Sequence, residues 1–417
     1  MTISLFGYGK TTRAIAKKLG PCDFYDDHVT VPHKDAEGNR LLPPSLFDPD
    51  RSDVEIPSPG FPPSHPLIAK AKHLISEYDL FLSERGRKIR ETGSGNREWE
   101  DFSRPYTIWV SGTNGKTTTT QMLTHLLADR GAVSGGNIGT PLALLDETRP
   151  LWVLETSSFT LHYTRLAKPD LYLLLPMTPD HLSWHGGEAA YLADKLKPLR
   201  SMREGEAILL PDAFADTPTE GFKIPYKETG AIARYFGIDV EKIDFEGAFL
   251  LDAVLAMGVA KILFDRVDYD KINAFRLEPH RQERVTDALG RLWVNDTKAT
   301  NIDATVQALK PFKERPIHLI LGGDDKGVDL TPLFETLKSY DLHIYAIGSN
   351  KEKVADLARR YAIPCEVSGT LERAVRAIAK VHDTRSVAIL SPAAASLDQF
   401  SSYAERGELF KNIVSSF

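Results

Sequence analysis

The chain has 417 residues, of which 42% are hydrophobic and 26% charged, enough to bury a full core and build two or three domains. Its formal net charge is -6 and it has no long basic run, which argues against electrostatic capture of nucleic acid, since that needs a concentrated Lys/Arg footprint. Cys22 and Cys365 are the only cysteines and no His or Cys spacing suits zinc, so neither disulfides nor structural zinc are expected. The start of the chain, Met1 to Gly7, lacks a basic region and a cleavable apolar stretch, and no window approaches the roughly 20 apolar residues of a spanning helix. A cytoplasmic protein without a membrane span is expected.

Residues 2–6 read as a strand that meets Gly7-Tyr8-Gly9-Lys10-Thr11-Thr12, and Ala14, Ile15 and Leu19 then recur at helical spacing up to Gly20. Phe24-Tyr25-Asp26-Asp27 reads as a second strand ending in acid, followed by a Pro-rich, turn-prone passage through Ser58-Pro59-Gly60-Phe61-Pro62-Pro63. The polar stretch Arg85 to Arg104 has the composition of a flexible linker or surface insertion. Tyr106 to Val110 is an apolar strand running into Gly112-Thr113-Asn114-Gly115-Lys116-Thr117-Thr118, and Met122, Leu123, Leu126 and Leu127 continue as a helix that stops at Gly131. Leu151 to Leu154 and Leu171 to Leu175 are further strands. From about residue 277 strands at 292–294, 317–321, 343–347 and 387–390 alternate with helical patterns such as Leu371 to Val381, which implies a parallel sheet covered by helices. Asp296, Gly322, Gly323 and Ser391 fall at the carboxyl ends of those strands, where open sheets bind ligands.

Gly112 to Thr118 is the strongest local signal. Glycines let backbone N–H groups wrap phosphate oxygens at a helix N-terminus, a Lys adds charge, and a Thr hydroxyl can bind magnesium. The generic phosphate-loop spacing fails at its first glycine, because Val110 stands there. Glu155 closes the run Leu151 to Leu154, so it projects from a strand end where a magnesium carboxylate is needed. Asp180-His181 follows another strand, and His181 suits metal, substrate or a purely structural role. Lys195, in the helical segment Tyr191 to Leu199, reads by itself as a solvated side chain. Gly7-Tyr8-Gly9 lacks the third glycine of a dinucleotide fingerprint and has Thr12 in its place; it fits an NAD-like ligand, a UDP-like ligand or a tight turn.

Taken in order, Gly112 to Thr118, Gly136-Asn137-Ile138-Gly139, Glu155-Thr156-Ser157-Ser158-Phe159, Asp180-His181, Pro279-His280-Arg281, Asn295 to Asn301 and Gly322-Gly323-Asp324-Asp325-Lys326 resemble the muramyl-peptide ligases. Ser391 to Phe400, with Arg406-Gly407 behind it, and Ser58-Pro59-Gly60 resemble the D-glutamate-adding branch of that family. The resemblance implies an α/β chain of three domains. They are a Rossmann-like N-terminal domain (1–88) for the UDP-substrate, a central P-loop ATPase domain (89–276), and a C-terminal Rossmann-like domain (277–417) with a mostly parallel sheet that binds the incoming amino acid and closes on ATP. It further implies that ATP phosphorylates the carboxylate of UDP-N-acetylmuramoyl-L-alanine and that the amine of D-glutamate attacks the acyl phosphate.

By the same resemblance Lys116, Glu155, His181 and Lys195 form the catalytic set. ATP is met by Gly112, Thr113, Asn114, Gly115, Lys116, Thr117, Thr118, Arg281, Asp296 and Lys298, and the UDP-substrate by Gly7, Thr11, Asp26, Ser58, Gly60 and Asn137. D-glutamate is met by Thr300, Lys326, Ser396 and Tyr403. Two Mg2+ are implied, held by Thr117, Glu155, His181 and Lys195 as its carbamate, in a monomeric protein. The sequence departs from the family at Phe245 to Asp252, where His and Asn usually reach the nucleotide and Asp252 is the one substitute, and at Tyr403, where Phe is usual. Competing readings are a ligase adding another amino acid, a nucleotide-binding module without turnover, and an NAD-dependent dehydrogenase.

Overall fold

The computed structural model describes residues 2–93, 104–137, 139–325 and 327–417. The chain divides into two compact units, one of residues 1–245 with 249–275, the other of 246–248 with 276–417.

The first unit holds two sheets. The N-terminal one has the order β3-β4-β2-β1-β5, with β1 Ile3–Phe6, β2 Asp23–Tyr25, β3 His33–Lys34, β4 Arg40–Leu42 and β5 Val54–Pro57, all parallel except the β3–β4 pair. Strand β5 lies inside the passage read as turn-prone; Pro57, which cannot donate to a ladder, is tolerated because it ends an edge strand. The second sheet, order β11-β10-β9-β6-β8-β7, is parallel throughout: β6 Tyr106–Ser111, β7 Ala132–Gly136, β8 Leu151–Glu155, β9 Leu171–Leu174, β10 Ala207–Pro211 and β11 Phe222–Tyr226. Its central strands are apolar on both faces because helices cover both, so Ile108, Trp109, Val153 and Leu173 are fully buried.

The stretch expected to be a linker is helical over Glu84–Gly93, and its remainder, 94–103, lies outside the described residues. Helix Gly247–Phe264 corrects the reading that no segment nears a membrane span. By length and composition it is apolar enough, and half of it is buried within the fold, including Asp252 and Val254 to Val259.

The second unit carries one sheet, order β12-β13-β17-β14-β15-β16: β12 Glu283–Thr286, β13 Leu292–Asn295, β14 Ile317–Leu321, β15 Leu342–Ile347, β16 Cys365–Gly369 and β17 Val387–Leu390. Only β12 runs antiparallel to its neighbour. Its core is built from Leu319, Leu321, Ile344 and Ile389 on one face and Trp293, Ile320, Leu390 and Phe410 on the other. The amphipathic helix Leu371–Ala379 lies over that second face through Leu371, Ala374, Val375 and Ile378.

Candidate functional site

In the first unit, the site is assembled where β6 hands over to helix Lys116–Leu126. Gly112 adopts φ +140, and a Cβ there would lie 2.5 Å from Cβ of Leu175; Gly115, at φ +83, would meet Oδ1 of Asp252 at 2.7 Å. Both positions therefore require glycine. Asp252 thus stands against the phosphate loop. The Thr113 hydroxyl donates to the Thr178 carbonyl at 2.9 Å, accepts the Thr178 amide at 2.9 Å and lies 2.7 Å from the Tyr191 hydroxyl, which pins the loop to the segment after β9.

Two lysines converge on one carbonyl. Lys116 Nζ donates to Gly112 O at 2.9 Å and Thr113 O at 2.6 Å, while Lys195 Nζ donates to the same Gly112 O at 2.7 Å. Lys195 belongs to helix Glu188–Leu196, is 1% exposed, and places its nitrogen 5.1 Å from the centre of the Tyr191 ring. Burial, then the charge of Lys116, hold its pKa well below the ordinary lysine value. The reading of Lys195 as a solvated side chain is therefore corrected: the helix turns it into the sheet end instead of outward.

Glu155, the last residue of β8, is 3% exposed. Its Oε1 accepts from Nδ2 of Asn137 at 2.6 Å, and the backbone amide of Asn137 donates to Glu155 O at 2.8 Å. Its Oε2 is buried and has no hydrogen-bond partner among the described residues. A buried carboxylate oxygen left unpaired costs several kcal/mol in principle and is the donor a hard cation selects, so this residue fits a magnesium ligand. Thr117 sits half-buried in the first turn of the helix after the loop. His181 takes a left-handed conformation (φ 51) at the start of helix Leu182–His185, keeps an exposed ring 4.7 Å from that of Phe159, and has Nε2 3.5 Å from Oδ2 of Asp180.

A polar cluster that the sequence reading missed supports this end of the sheet. Oδ2 of Asp194 is 2.9 Å from Nδ1 of His162 and 2.8 Å from Nδ1 of His185, and Nε2 of His185 meets the Ser158 hydroxyl at 3.0 Å. With Nδ1–H donated to Asp194, the His185 lone pair on Nε2 accepts from Ser158, so both ring nitrogens of His185 are committed. The cluster joins helix Ser158–Tyr163, the His181 segment and the residue before Lys195. Its three members lie 9 to 32 residues apart in sequence, which is why no local motif announced them.

The glycine turn of the first sheet is closed from within. Asp26 accepts the Tyr8 amide at 2.7 Å, and the Thr12 hydroxyl donates to Gly7 O at 2.6 Å and accepts the Gly9 amide at 3.0 Å. Thr12 thus bonds across the turn that a third glycine would open. Ser58 lies against it: a Cβ on Gly7 would be 3.6 Å from Cβ of Ser58. Thr11 is half-buried beside Thr12, and Gly60 is exposed and accepts the Trp184 indole N–H at 3.1 Å. Lys10 Nζ donates to Gly139 O, so the turn stands next to the exposed Asn137.

In the second unit, Asp296 follows β13, accepts the Ser391 hydroxyl at 2.8 Å and the Gln282 amide at 3.1 Å, and is pushed by burial up to about 7 despite those bonds. Arg281 lies between His280 and Gln282, both at positive φ (70 and 45), a strained segment. Lys298 Nζ pairs with Glu278 at 3.1 Å and lies 5.5 Å from the Tyr403 ring centre. Of the positions expected to receive the amino acid, Ser396 is buried, Thr300 and Tyr403 are exposed, and Lys326 lies outside the described residues.

The family model for the Mur ligase middle domain matches residues 110–249, and that for the Mur ligase glutamate ligase domain matches 280–393. The chain is 53% identical to a UDP-N-acetylmuramoylalanine–D-glutamate ligase of Campylobacter jejuni and 47% identical to that of Helicobacter pylori, each alignment covering 99% of both chains. Among solved structures it is similar to the MurF ligase of Thermotoga maritima in complex with ADP, with a TM-score of 0.59 at 15% identity over 99% of this chain and 94% of that one. That likeness shows the three-domain fold. With full-length identity of this order, the chain belongs to the Mur ligase family, in its UDP-N-acetylmuramoylalanine–D-glutamate ligase branch.

Proposed function

We infer that the protein joins the L-alanine carboxylate of UDP-N-acetylmuramoyl-L-alanine to the amine of D-glutamate, converting ATP to ADP and phosphate, in peptidoglycan precursor synthesis. The observation that carries the chemistry is that Lys116 and Lys195 meet beyond the end of β6 while Glu155, with an oxygen that has no hydrogen-bond partner among the described residues, ends the neighbouring strand β8, beside a phosphate loop. A carboxylate is a poor electrophile until one oxygen becomes a phosphate leaving group, and cations must hold the two anions together.

In this reading residues 1–88 hold the UDP-substrate, 89–276 ATP and 277–417 the amino acid. Lys116 and the amides of Gly112 to Thr118 bind the transferring phosphate. Thr117, Glu155, His181 and Lys195 as a carbamate would hold magnesium, which supplies charge neutralisation at the phosphate and acyl oxygens. Carbamate formation needs a neutral amine to meet CO2, and the low pKa of the buried Lys195 supplies it. Asn137, tied to Glu155, faces the UDP-substrate with Gly7, Thr11, Asp26, Ser58 and Gly60. Arg281, Asp296 and Lys298 reach the nucleotide, and Thr300, Lys326, Ser396 and Tyr403 receive D-glutamate. The protein acts as a monomer in the cytoplasm.

Phosphate release with ATP, Mg2+ and UDP-N-acetylmuramoyl-L-alanine tests this directly. Turnover is expected with D-glutamate and not with L-glutamate, L-lysine or diaminopimelate; turnover with another acceptor alone would refute the acceptor assignment. Carbon-13 NMR of protein equilibrated with labelled bicarbonate should show a carbamate signal that Lys195→Ala removes.

A further inference from the structure

Arg406 is one of the largest fully buried side chains of the molecule, 1% exposed, and among the described residues no carboxylate lies within ion-pair distance of it. Its guanidinium is instead spent on three pieces of backbone. Nε donates to the Thr297 hydroxyl at 2.8 Å, Nη2 to Thr297 O at 2.9 Å and Ala394 O at 3.2 Å, and Nη1 to Ala395 O at 3.4 Å. The Thr297 hydroxyl passes the connection on by donating to Tyr403 O at 3.2 Å. Asp398, whose charge it feels, accepts the Ser349 amide at 2.7 Å.

The surroundings are built to admit this side chain. Gly407 is required beside it, because a Cβ there would lie 2.3 Å from Nδ1 of His280 and 2.7 Å from Cγ2 of Thr297. Ala393, just before the two carbonyls that Arg406 holds, sits at φ 52, a conformation non-glycine residues adopt only when their surroundings impose it. Ala395 also exchanges two backbone bonds with Asp324, at 3.0 and 2.8 Å, so the strand-end loop after β14 is tied to the same point. Every peptide here is trans. With the carbonyls of Thr297, Ala394 and Ala395 turned inward to the guanidinium, planarity turns the amides of Lys298, Ala395 and Ser396 the opposite way.

A buried arginine without a carboxylate costs stability, and a methionine would fill the volume more cheaply. What the charge does secure is the placement of two loops, those carrying Thr300 and Ser396, against the first turn of its own helix Tyr403–Val414, where Tyr403 stands. We propose that Arg406 is a positioning residue for the acceptor: it fixes these loops from beneath, and its unpaired positive charge favours an acceptor with two carboxylates. The proposal rests on those three residues receiving D-glutamate. Arg406 is too deeply buried to touch the substrate and acts through Thr297, Ala394 and Ala395.

The test is steady-state kinetics of the full-length enzyme. Arg406→Lys keeps the charge and loses the fork, so KM for D-glutamate should rise about tenfold or more while KM for ATP stays within about twofold. Thr297→Val breaks the same hub without touching the charge and should give the same pattern, several-fold smaller, which keeps the test open if Arg406 variants fold poorly. A KM for D-glutamate within about twofold of the parent value in both variants, whatever the change in Tm, overturns the proposal. Ser396→Ala separates the two layers of the argument. If it leaves KM for D-glutamate unchanged while Arg406→Lys raises it, the assignment of Ser396 to the pocket is wrong and the positioning role of Arg406 stands through Thr300 and Tyr403; the reverse pattern removes Arg406.

Discussion

The two large sheets handle buried charge in different ways. At the end of the central sheet, Lys116 and Lys195 share one carbonyl and Glu155 keeps an oxygen with no hydrogen-bond partner among the described residues. In the C-terminal unit two buried charges are saturated: Arg406 makes four hydrogen bonds, and Asp287, beside the start of β13, accepts from Arg291 Nε at 2.6 Å and Trp293 Nε1 at 2.9 Å as well as two amides. Spare bonding capacity marks a place where ligands complete the site; saturation marks a scaffold. Substitutions in the first should therefore change turnover more than stability, and substitution of Asp287, which lies away from the proposed amino-acid site, the reverse.

The largest effect tests the unsaturated side. Lys195→Ala and Glu155→Gln should each lower kcat by about 10^3-fold, the scale of losing a preorganised electrostatic contact in the transition state. Neither should lower Tm, and Glu155→Gln should raise it slightly, because it removes a buried unpaired charge and keeps the bond to Asn137. Phosphate-release assays beside thermal unfolding give both readouts; a loss of turnover matched by a loss of folding would break the comparison. Its counterpart is Asp287→Ala, which leaves Arg291 buried beside Trp293 without its carboxylate. A cost of about 3–5 kcal/mol in denaturant unfolding is expected, with KM and kcat of the remaining folded enzyme unchanged.

The same contrast explains what could be read from the sequence. Gly112 to Thr118 was legible because its chemistry is contiguous and its flanking strand and helix carry plain periodicity. Glu155 was legible as the end of an apolar run. The low-pKa state of Lys195 was not, because it depends on burial at the sheet end and on the charge of Lys116, some 80 residues away. Nor were the Asp194 cluster or the Arg406 hub, whose partners come from separate loops. Strand β7, Ala-Val-Ser-Gly-Gly, escaped because glycines erase its pattern; Gly136 is there because a Cβ would lie 2.5 Å from the Tyr78 hydroxyl. Asp26, expected at the UDP-substrate, is also committed to the Tyr8 amide, a local bond that no spacing reveals.

The smallest expected effect sharpens the picture of the saturated unit. His382 is buried, with Nδ1 2.7 Å from the Ser386 hydroxyl and Nε2 donating to Leu292 O at 3.0 Å. Burial, followed by the charge of neighbouring His318, brings its pKa down to about 4. Since the folded value lies below the unfolded one of about 6.5, the unfolded chain binds the extra proton between those limits, so stability is full at neutral pH and is lost as pH falls through that window. At pH 5 the loss from this group is about 2 kcal/mol. Denaturant unfolding at pH 7 and pH 5 should show it, and His382→Gln should flatten the difference while lowering stability at pH 7. An unchanged pH slope in that variant would assign the acid sensitivity elsewhere. Lys195 then becomes the instructive comparison: its pKa is also depressed by burial, but in the proposed reading its neutral amine is the form that would take up CO2 rather than one that holds a strand in place.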